Sequence, residues 1–200
     1  MLETTALACE RGGLRLFSDL GFAVAPGGLL RVRGANGSGK TTLLRTLAGL
    51  TRPSEGVVRW RGQPIADDYR KEMLFLGHAP AMKDELTVLE NLEFSAQLAG
   101  LENPDSKNAL ERLGVARLAD LPARFLSQGQ RRRAALARLA LSAGVLLWLL
   151  DEPFAALDAE GITQVSALCT AHLAGGGMLV LTSHQDVAIA SAAPQEIELR

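Results

Sequence analysis

The residues best suited to chemistry form a glycine-rich stretch that ends in Lys-Thr-Thr. It reads Gly-Ala-Asn-Gly-Ser-Gly-Lys-Thr-Thr over residues 34–42, between an apolar strand pattern and a helical pattern. In that context the glycines let backbone N–H groups point at phosphate oxygens, and the helix start adds partial positive charge. Lys40 can reach the β- and γ-phosphates, and the Thr41 hydroxyl can ligate Mg²⁺. The pattern predicts a nucleoside triphosphate site formed by Gly34, Ala35, Asn36, Gly37, Ser38, Gly39, Lys40, Thr41 and Thr42.

Acidic and imidazole groups follow two later apolar runs of the chain. Asp151 and Glu152 come directly after the run Val145–Leu150. Asp151 has the chemistry to hold Mg²⁺ together with Thr41, and Glu152 could orient or deprotonate a water that attacks the γ-phosphate. His184 could donate a hydrogen bond to the γ-phosphate, although a lone histidine after a strand is as often structural.

These groups can act together only if strand ends bring them to one place. Strand patterns alternate with helical patterns, which predicts an α/β fold with a mainly parallel sheet covered on both faces. The motif at residues 34–42 resembles the phosphate loop of P-loop NTPases, which implies a fold of that type. In such sheets ligands bind beyond the carboxyl ends of the strands. Residues 34–42, His78, Asp151-Glu152 and His184 each follow a predicted strand, so we expect them at one edge.

The order of patterns also predicts how the chain is organised. We predict one domain over residues 1–200, in which a helical subdomain at 86–142 separates core segments 1–85 and 143–200. The strand patterns before the phosphate loop predict an N-terminal antiparallel β subdomain. It would contain separate strands at Leu14–Phe17 and Gly21–Val24 and an edge strand at Val57–Trp60.

Helix signals are clearest in the inserted segment. Thr87 followed by Glu90 is a capping-box pattern, so a helix is predicted to start there. A long helix is predicted at Gln130–Leu141, and a short one after His184.

Overall charge argues against a polyanionic partner. Lys and Arg total 21 against 22 Asp and Glu, and the net charge of −1 provides no field that would attract nucleic acid or anionic lipid. The run Arg131–Arg133 lacks interleaved aromatic residues, so it predicts a solvated or interface face and no nucleic-acid partner.

Cysteine usage and hydropathy indicate a cytosolic environment. Cys9 and Cys169 lie far apart and match no metal-ligand spacing, which favours two reduced thiols. The N-terminal residues show no secretory signal, and the longest apolar run, at 143–150, is too short to span a bilayer.

A second anion-binding pattern lies inside the helical segment. Ser127 and Gly129 precede the predicted long helix and could offer a hydroxyl and backbone N–H groups to an anion. A chain that binds phosphates at residues 34–42 has no local need for this second phosphate site.

The chain resembles the ATP-binding cassette (ABC) family over essentially its whole length. Residues 34–42 match the Walker A loop, Leu126–Gln130 the signature motif, Leu147–Glu152 the Walker B strand, Ala156–Asp158 the D-loop, and His184 the switch histidine. The resemblance implies Mg²⁺-dependent ATP hydrolysis by a homodimer, or by a pair with a second ATPase subunit, formed on ATP binding. It also implies that Ser127 and Gly129 of one chain grip the γ-phosphate held by the other.

Three positions depart from the family pattern. Gln128 stands at the usual first glycine of the signature, and His78 stands where a glutamine is usual. Histidine can replace glutamine there only as a neutral acceptor or through water, which would make it pH-sensitive. Arg11 stands where an aromatic residue normally stacks on adenine; it either stacks through its guanidinium plane or is solvated.

Several short segments are similar to the haem-exporter ATPases of cytochrome c maturation. They are Cys9–Arg11, Gly49–Pro53, Trp60–Pro64 and Leu76–Pro80, and the last carries the Gly-His pair usual in that branch. This resemblance implies a peripheral subunit on the cytoplasmic face of a bacterial inner membrane, docked on integral membrane subunits. The apolar residues within loop 78–85 suit such docking, and no residue is expected to contact haem directly.

Other functions stay open at the level of the sequence. The chain could be the ATPase of another small-substrate ABC transporter, a soluble ABC ATPase of repair or translation, or a module that binds nucleotide without hydrolysing it. The segment between Lys40 and Ser127 leaves no room for the long coiled coil of repair proteins, and there is one cassette where translation factors have two. The presence of Lys40, Ser127 and Glu152 argues against a non-hydrolysing module.

Overall fold

Five parallel strands form the sheet that carries the phosphate loop. The computed structural model describes residues 1–142, 144–191 and 193–199. The strand order is β6-β7-β8-β3-β9, and every neighbouring pair is parallel, which confirms the predicted α/β class. The strands are β3 (Gly28–Gly34), β6 (Met73–Leu76), β7 (Leu147–Asp151), β8 (Met178–Thr182) and β9 (Ala193–Leu199). The predicted core segment 143–200 and the apolar run 143–150 both begin at residue 143, which lies outside the described ranges. Residue 200, the last of that core segment, lies outside them too.

A four-stranded antiparallel sheet, as predicted, precedes and flanks the phosphate loop. Its order is β2-β1-β4-β5, with β1 at Leu2–Arg11, β2 at Leu14–Val24, β4 at Glu55–Trp60 and β5 at Gln63–Pro64. Two of our strand predictions are wrong here. The polar stretch at Ser18-Asp19 does not end a strand, because irregular pairing with β1 and a left-handed Asp19 (φ +52°) keep β2 continuous. The strand β4 is not at the edge, because β5 pairs with its outer side.

Helices cover the parallel sheet and form the inserted segment. They are α1 (Lys40–Leu47), α2 (Val88–Leu98), α3 (Ser106–Arg112), α4 (Gln128–Leu136), α5 (Arg138–Leu141) and α6 (Ala159–Ala174). Short 3₁₀ turns lie at Asp67–Glu72, Ala116–Leu118 and Ala123–Phe125.

The capping residues define where two of these helices begin. The Thr87 hydroxyl accepts a hydrogen bond from the Glu90 N–H, and the Glu90 carboxylate accepts one from the Thr87 N–H, as predicted. Ser127 and Gln130 form the same box, so α4 starts at Gln128, two residues earlier than predicted. The predicted long helix is interrupted at Ala137, and residues 185–191 contain no helix, contrary to our prediction.

The central strand β7 is buried on both faces, as its unbroken apolar run predicts. Leu147 and Leu149 pack into the cluster that contains α1, whereas Trp148 and Leu150 pack into the cluster that contains α6. The edge strand β6, which its apolar sequence predicts to be buried, is only half-buried apart from its last residue, Leu76.

The Trp148 face of the core contains a titratable group that makes folding pH-dependent. The Trp148 and His172 rings stack in parallel with centroids 3.9 Å apart, and His172 Nε2 lies 3.1 Å from the Met178 carbonyl oxygen. Burial lowers the pKa of His172, with the Met178 contact opposing that shift. The folded state therefore binds fewer protons than the unfolded state, so stability falls as pH drops below about 6.5, the pKa of a free imidazole.

We expect His172→Phe, which keeps a flat ring on Trp148, to weaken this pH dependence. The free energy of urea unfolding should rise less steeply between about pH 5.5 and 8 than in the wild type, because one differentially titrating group is gone. Identical slopes in the two proteins would contradict this assignment.

Candidate active site

The phosphate loop joins β3 to α1 and needs glycine for steric reasons. Gly34, Gly37 and Gly39 all have left-handed or similar positive φ values, of +143°, +86° and +98°. A Cβ at Gly34 would lie 2.5 Å from Ser38 Oγ and 2.6 Å from the Leu199 carbonyl oxygen. Only glycine therefore fits at this first position of the loop.

Lys40, the first residue of α1, lies along the loop that precedes it. Its Nζ donates to the carbonyl oxygens of Gly34 and Ala35, at 2.8 and 3.1 Å, and the residue is 8% exposed. Ser38 Oγ is buried in the same loop and has no hydrogen-bond partner among the described atoms. A buried ammonium and an unused hydroxyl in a glycine cradle fit a polyphosphate group.

Thr41 and Asp151 are in direct contact, although far apart in sequence. Thr41 Oγ1 donates to Asp151 Oδ2 at 2.8 Å, and Thr182 Oγ1 donates to Asp151 Oδ1 at 2.7 Å. Asp151 is only 2% exposed at the end of β7. Hydroxyl and carboxylate oxygens are the ligands that Mg²⁺ prefers, so Thr41 and Asp151 fit that ion.

Thr182 is a site residue that our sequence reasoning missed. It ends β8 directly opposite Asp151 in the parallel register, and its hydroxyl also accepts from the Glu152 N–H at 2.9 Å. The sequence marks it only as the last residue of the strand predicted before His184, and its contact with Asp151 depends on the pairing of β7 with β8.

Glu152 has an unusual backbone and loosely held carboxylate oxygens. Its φ of +50° lies in the left-handed region, which a non-glycine residue adopts only when its surroundings enforce it. His184 Nε2 lies 3.5 Å from Glu152 Oε1, and the His184 N–H donates to Glu152 Oε2 at 3.4 Å. These contacts are too long for firm hydrogen bonds, and the buried Oε1 makes none to any described atom.

One cleft of about 690 Å³ brings most of the predicted site residues together. It is lined by residues from the phosphate loop, by Asp151 and Glu152, and by His78, His184 and Arg11. Leu14 and Leu16 also line it, beside Arg11, and our sequence reasoning did not single them out. The cross-strand pairing of Arg11 with Leu14 in β1 and β2 explains their position.

Ser127 and Gly129 do not reach that cleft. They line a separate cavity of about 560 Å³ together with Ala156, Asp158 and Arg133. A Cβ on Gly129 would lie 2.9 Å from the Ala156 carbonyl oxygen. The Gly161 N–H, together with Arg133, holds the pKa of Asp158 below its usual range. Within one chain, therefore, the two predicted anion-binding stretches belong to different surfaces.

The arginine run is less uniform than we predicted. Arg131 pairs with Asp84, and Arg133 pairs with Asp158. Arg132 is only 6% exposed, so the prediction of a solvated or interface face is wrong for this residue. Its guanidinium binds main-chain carbonyls behind the cleft.

The family model described as ABC transporter matches residues 17–155. Curated relatives that carry the name cytochrome c biogenesis ATP-binding export protein CcmA include two that match nearly the whole chain. The one from Aromatoleum aromaticum is 50% identical over 95% of this chain and 91% of its own length. The one from Nitrosospira multiformis is 48% identical over 99% of this chain and 98% of its own length.

A solved structure shares the fold at lower identity. It is described as a dimeric post-hydrolysis state of an ATP-binding cassette bound to ADP and phosphate. It superposes with a TM-score of 0.79 and is 23% identical, covering 92% of this chain and 88% of its own.

Proposed function

Because the chain belongs to the ABC transporter family, we propose that it is the ATP-hydrolysing subunit of a transporter complex in cytochrome c biogenesis. The observation that carries the proposal is the single cleft in which the phosphate loop, Asp151, Glu152 and His184 meet. The names of the two relatives direct the proposal to cytochrome c biogenesis in preference to another transported substrate or a soluble ABC ATPase.

Substrate binding is assigned to the phosphate loop. The backbone N–H groups of residues 34–42 bind the β- and γ-phosphates of ATP, and Lys40 moves its hydrogen bonds from the loop carbonyls to phosphate oxygens. Thr41 and Asp151 would hold Mg²⁺, which would supply positive charge to neutralise the phosphates. Thr182 keeps the Asp151 carboxylate oriented toward Thr41.

Hydrolysis is assigned to Glu152 and the two cleft histidines. Glu152 accepts a proton from the water that attacks the γ-phosphorus, while the bond from that phosphorus to the bridging oxygen of ADP breaks. His184, in contact with Glu152, donates a hydrogen bond to the γ-phosphate. His78 orients the water from the loop after β6. Arg11, with Leu14 and Leu16 beside it, forms the surface for the adenine ring.

A second chain is needed to complete the reaction centre. Ser127 and Gly129 lie on a different surface from the chain's own phosphate loop, so they are proposed to bind the γ-phosphate held by a partner cassette. The dimeric state of the solved cassette of the same fold supports this pairing. A homodimer, or a pair with another ATPase subunit, forms when ATP is bound.

The membrane association is assigned to protein partners. No helix in the described part of the chain is both long and apolar enough to cross a membrane. A groove of about 280 Å³ lies beside the phosphate loop and is lined by apolar Ala79, Pro80 and Ala81 together with Arg45 and Arg138. We assign this groove to integral membrane subunits, with the chain peripheral on the cytoplasmic face of a bacterial inner membrane. Haem would be handled by those subunits.

Purification of the tagged chain from its native membrane tests the proposal. Mass spectrometry of co-purifying integral proteins should identify cytochrome c maturation subunits. Recovery of a sugar or peptide permease instead would contradict the biological role but leave the ATPase assignment intact. An untagged strain provides the background control.

A further inference from the structure

Arg132 occupies a different environment from the arginines on either side of it. It lies in the second turn of α4, the helix that Ser127 caps, and is 6% exposed. Its neighbours Arg131 and Arg133 form ion pairs with carboxylates nearer the surface. Arg132 instead points its guanidinium at the main chain beneath the cleft.

The guanidinium joins two loops that leave adjacent strands. Its Nη1 donates to the carbonyl oxygens of Gly77 and His78, at 3.2 and 3.0 Å, after β6. Its Nη2 donates to the carbonyl oxygens of Asp151 and Glu152, at 2.8 and 2.7 Å, at the end of β7. Such a four-carbonyl link needs a planar group with several fixed donors, which only arginine supplies.

Glu152 depends on its main chain for its position. Its side-chain contacts with His184 are 3.4 to 3.5 Å long. Besides a 3.2 Å hydrogen bond from the Ala155 N–H to its carbonyl oxygen, its main chain makes two shorter hydrogen bonds. One is from its N–H to Thr182, and the other is from Arg132 to its carbonyl oxygen. The left-handed φ of +50° at Glu152 is held between these two anchors.

Charge and burial act in opposite directions on Arg132. Burial lowers the pKa of its guanidinium, and the carboxylates of Asp151 and Glu152 oppose that shift. The cation therefore also places positive charge behind Asp151 and Glu152. This charge offsets the repulsion between their two carboxylates.

We infer that Arg132 is a positioning residue for hydrolysis, holding the main chains of His78 and Glu152 where their side chains act on the attacking water. It also makes that geometry depend on the placement of α4, the helix that Ser127 caps. This inference rests on the proposed role of Glu152 as the base.

Chemical rescue tests the inference directly. Arg132→Ala should lower kcat for ATP hydrolysis by about 100-fold, the order of effect expected when a reacting group is displaced by about 1 Å. The KM for MgATP and the Kd for nucleotide should change by less than about threefold, because the phosphate loop is untouched. Arg132 lines the open groove beside loop 78–81, so added guanidinium chloride should enter and recover about tenfold in kcat.

Matched measurements separate positioning from a general structural role. Ammonium chloride at the same ionic strength should give no recovery, because a compact ammonium ion cannot reach the carbonyls of both loops. Arg131→Ala, which removes the neighbouring and more exposed arginine, should leave kcat and KM unchanged. Unchanged kcat in Arg132→Ala, a parallel loss of nucleotide affinity, or equal rescue by ammonium would overturn the inference.

If Arg132→Ala does not fold, Arg132→Lys decides the question. Lysine keeps the charge but cannot span both loops, so we expect a low kcat with unchanged KM, and wild-type kcat would refute the inference. Glu152→Gln distinguishes this outcome from failure of the proposed function. If Glu152→Gln retains turnover, the assignment of Glu152 as the base fails. If Glu152→Gln is inactive while the Arg132 variants are fully active, only the positioning role of Arg132 fails.

Discussion

Replacing Glu152 with glutamine should lower kcat for ATP hydrolysis by about a thousandfold while nucleotide still binds. Glutamine has nearly the same shape but cannot take a proton from water. Removal of a general base typically lowers the rate by about 10²- to 10⁴-fold. The phosphate loop and the Thr41–Asp151 contact are unaffected, so the Kd for MgATP should stay within about threefold of wild type. Because ATP then persists in the cleft, the dimer should accumulate when MgATP is added.

Steady-state phosphate release and nucleotide titration measure the two effects separately. Glu111→Gln is the matched control, since Glu111 is an exposed carboxylate at the end of α3, away from the cleft lining. It should have wild-type kcat. Turnover by Glu152→Gln at the wild-type rate would contradict the assignment of Glu152 as the base.

Replacing Lys40 with alanine should weaken ATP binding by about 100-fold. Lys40 is a buried ammonium whose present partners are loop carbonyls, so its donors are available to phosphate oxygens in the bound state. Hydrogen bonds to charged groups contribute about 1.5–3 kcal/mol, and about 2.7 kcal/mol corresponds to a 100-fold change in Kd. Hydrolysis should fall at least as much, because the γ-phosphate is no longer held in line.

Equilibrium titration with a fluorescent ATP analogue measures this loss. Lys107→Ala, at an exposed lysine in α3, is the control and should bind as tightly as wild type. Thermal unfolding of both variants shows whether removal of the loop hydrogen bonds has changed the fold. Wild-type affinity in a folded Lys40→Ala protein would contradict the predicted role of the loop.

The parallel core and the motif-bearing loops were predictable because each depends on local sequence. Glycines with positive φ, the capping box at Thr87, and the apolar run of β7 each have one favoured structural interpretation. Convergence of the loops then follows from the rule that parallel strands place their carboxyl ends at one edge.

The errors arose where tertiary pairing overrides local signals. A polar Ser18-Asp19 pair usually ends a strand, yet pairing along β1 carries β2 through it. Whether β4 is an edge depends on the two-residue strand β5, which is too short to recognise from a pattern. His78 and its loop, by contrast, follow β6 as predicted.

Arg132 and Thr182 could not be assigned from sequence for a related reason. An arginine within a run of three has the composition of a solvated face, and only the neighbouring loops provide the four carbonyls that bury it. Thr182 acts through its register with Asp151, which depends on the strand order β7-β8.

The central claim is that one chain holds only half of each reaction centre. Ser127→Asp keeps a residue that caps helices well, so α4 should form, but its carboxylate would repel a γ-phosphate. Ser127→Asp and Lys40→Ala should each be inactive alone, for they damage the two surfaces that meet in a pair.

Mixing these two inactive proteins tests the claim most directly. When equal amounts are mixed, random pairing puts both variants in half of the dimers. Each such dimer has one centre with intact Lys40 and intact Ser127. ATPase activity of the mixture should therefore recover to about a quarter of the wild-type value in a twofold-symmetric dimer. No recovery on mixing, together with a wild-type specific activity that does not change on dilution, would show that each chain hydrolyses ATP alone.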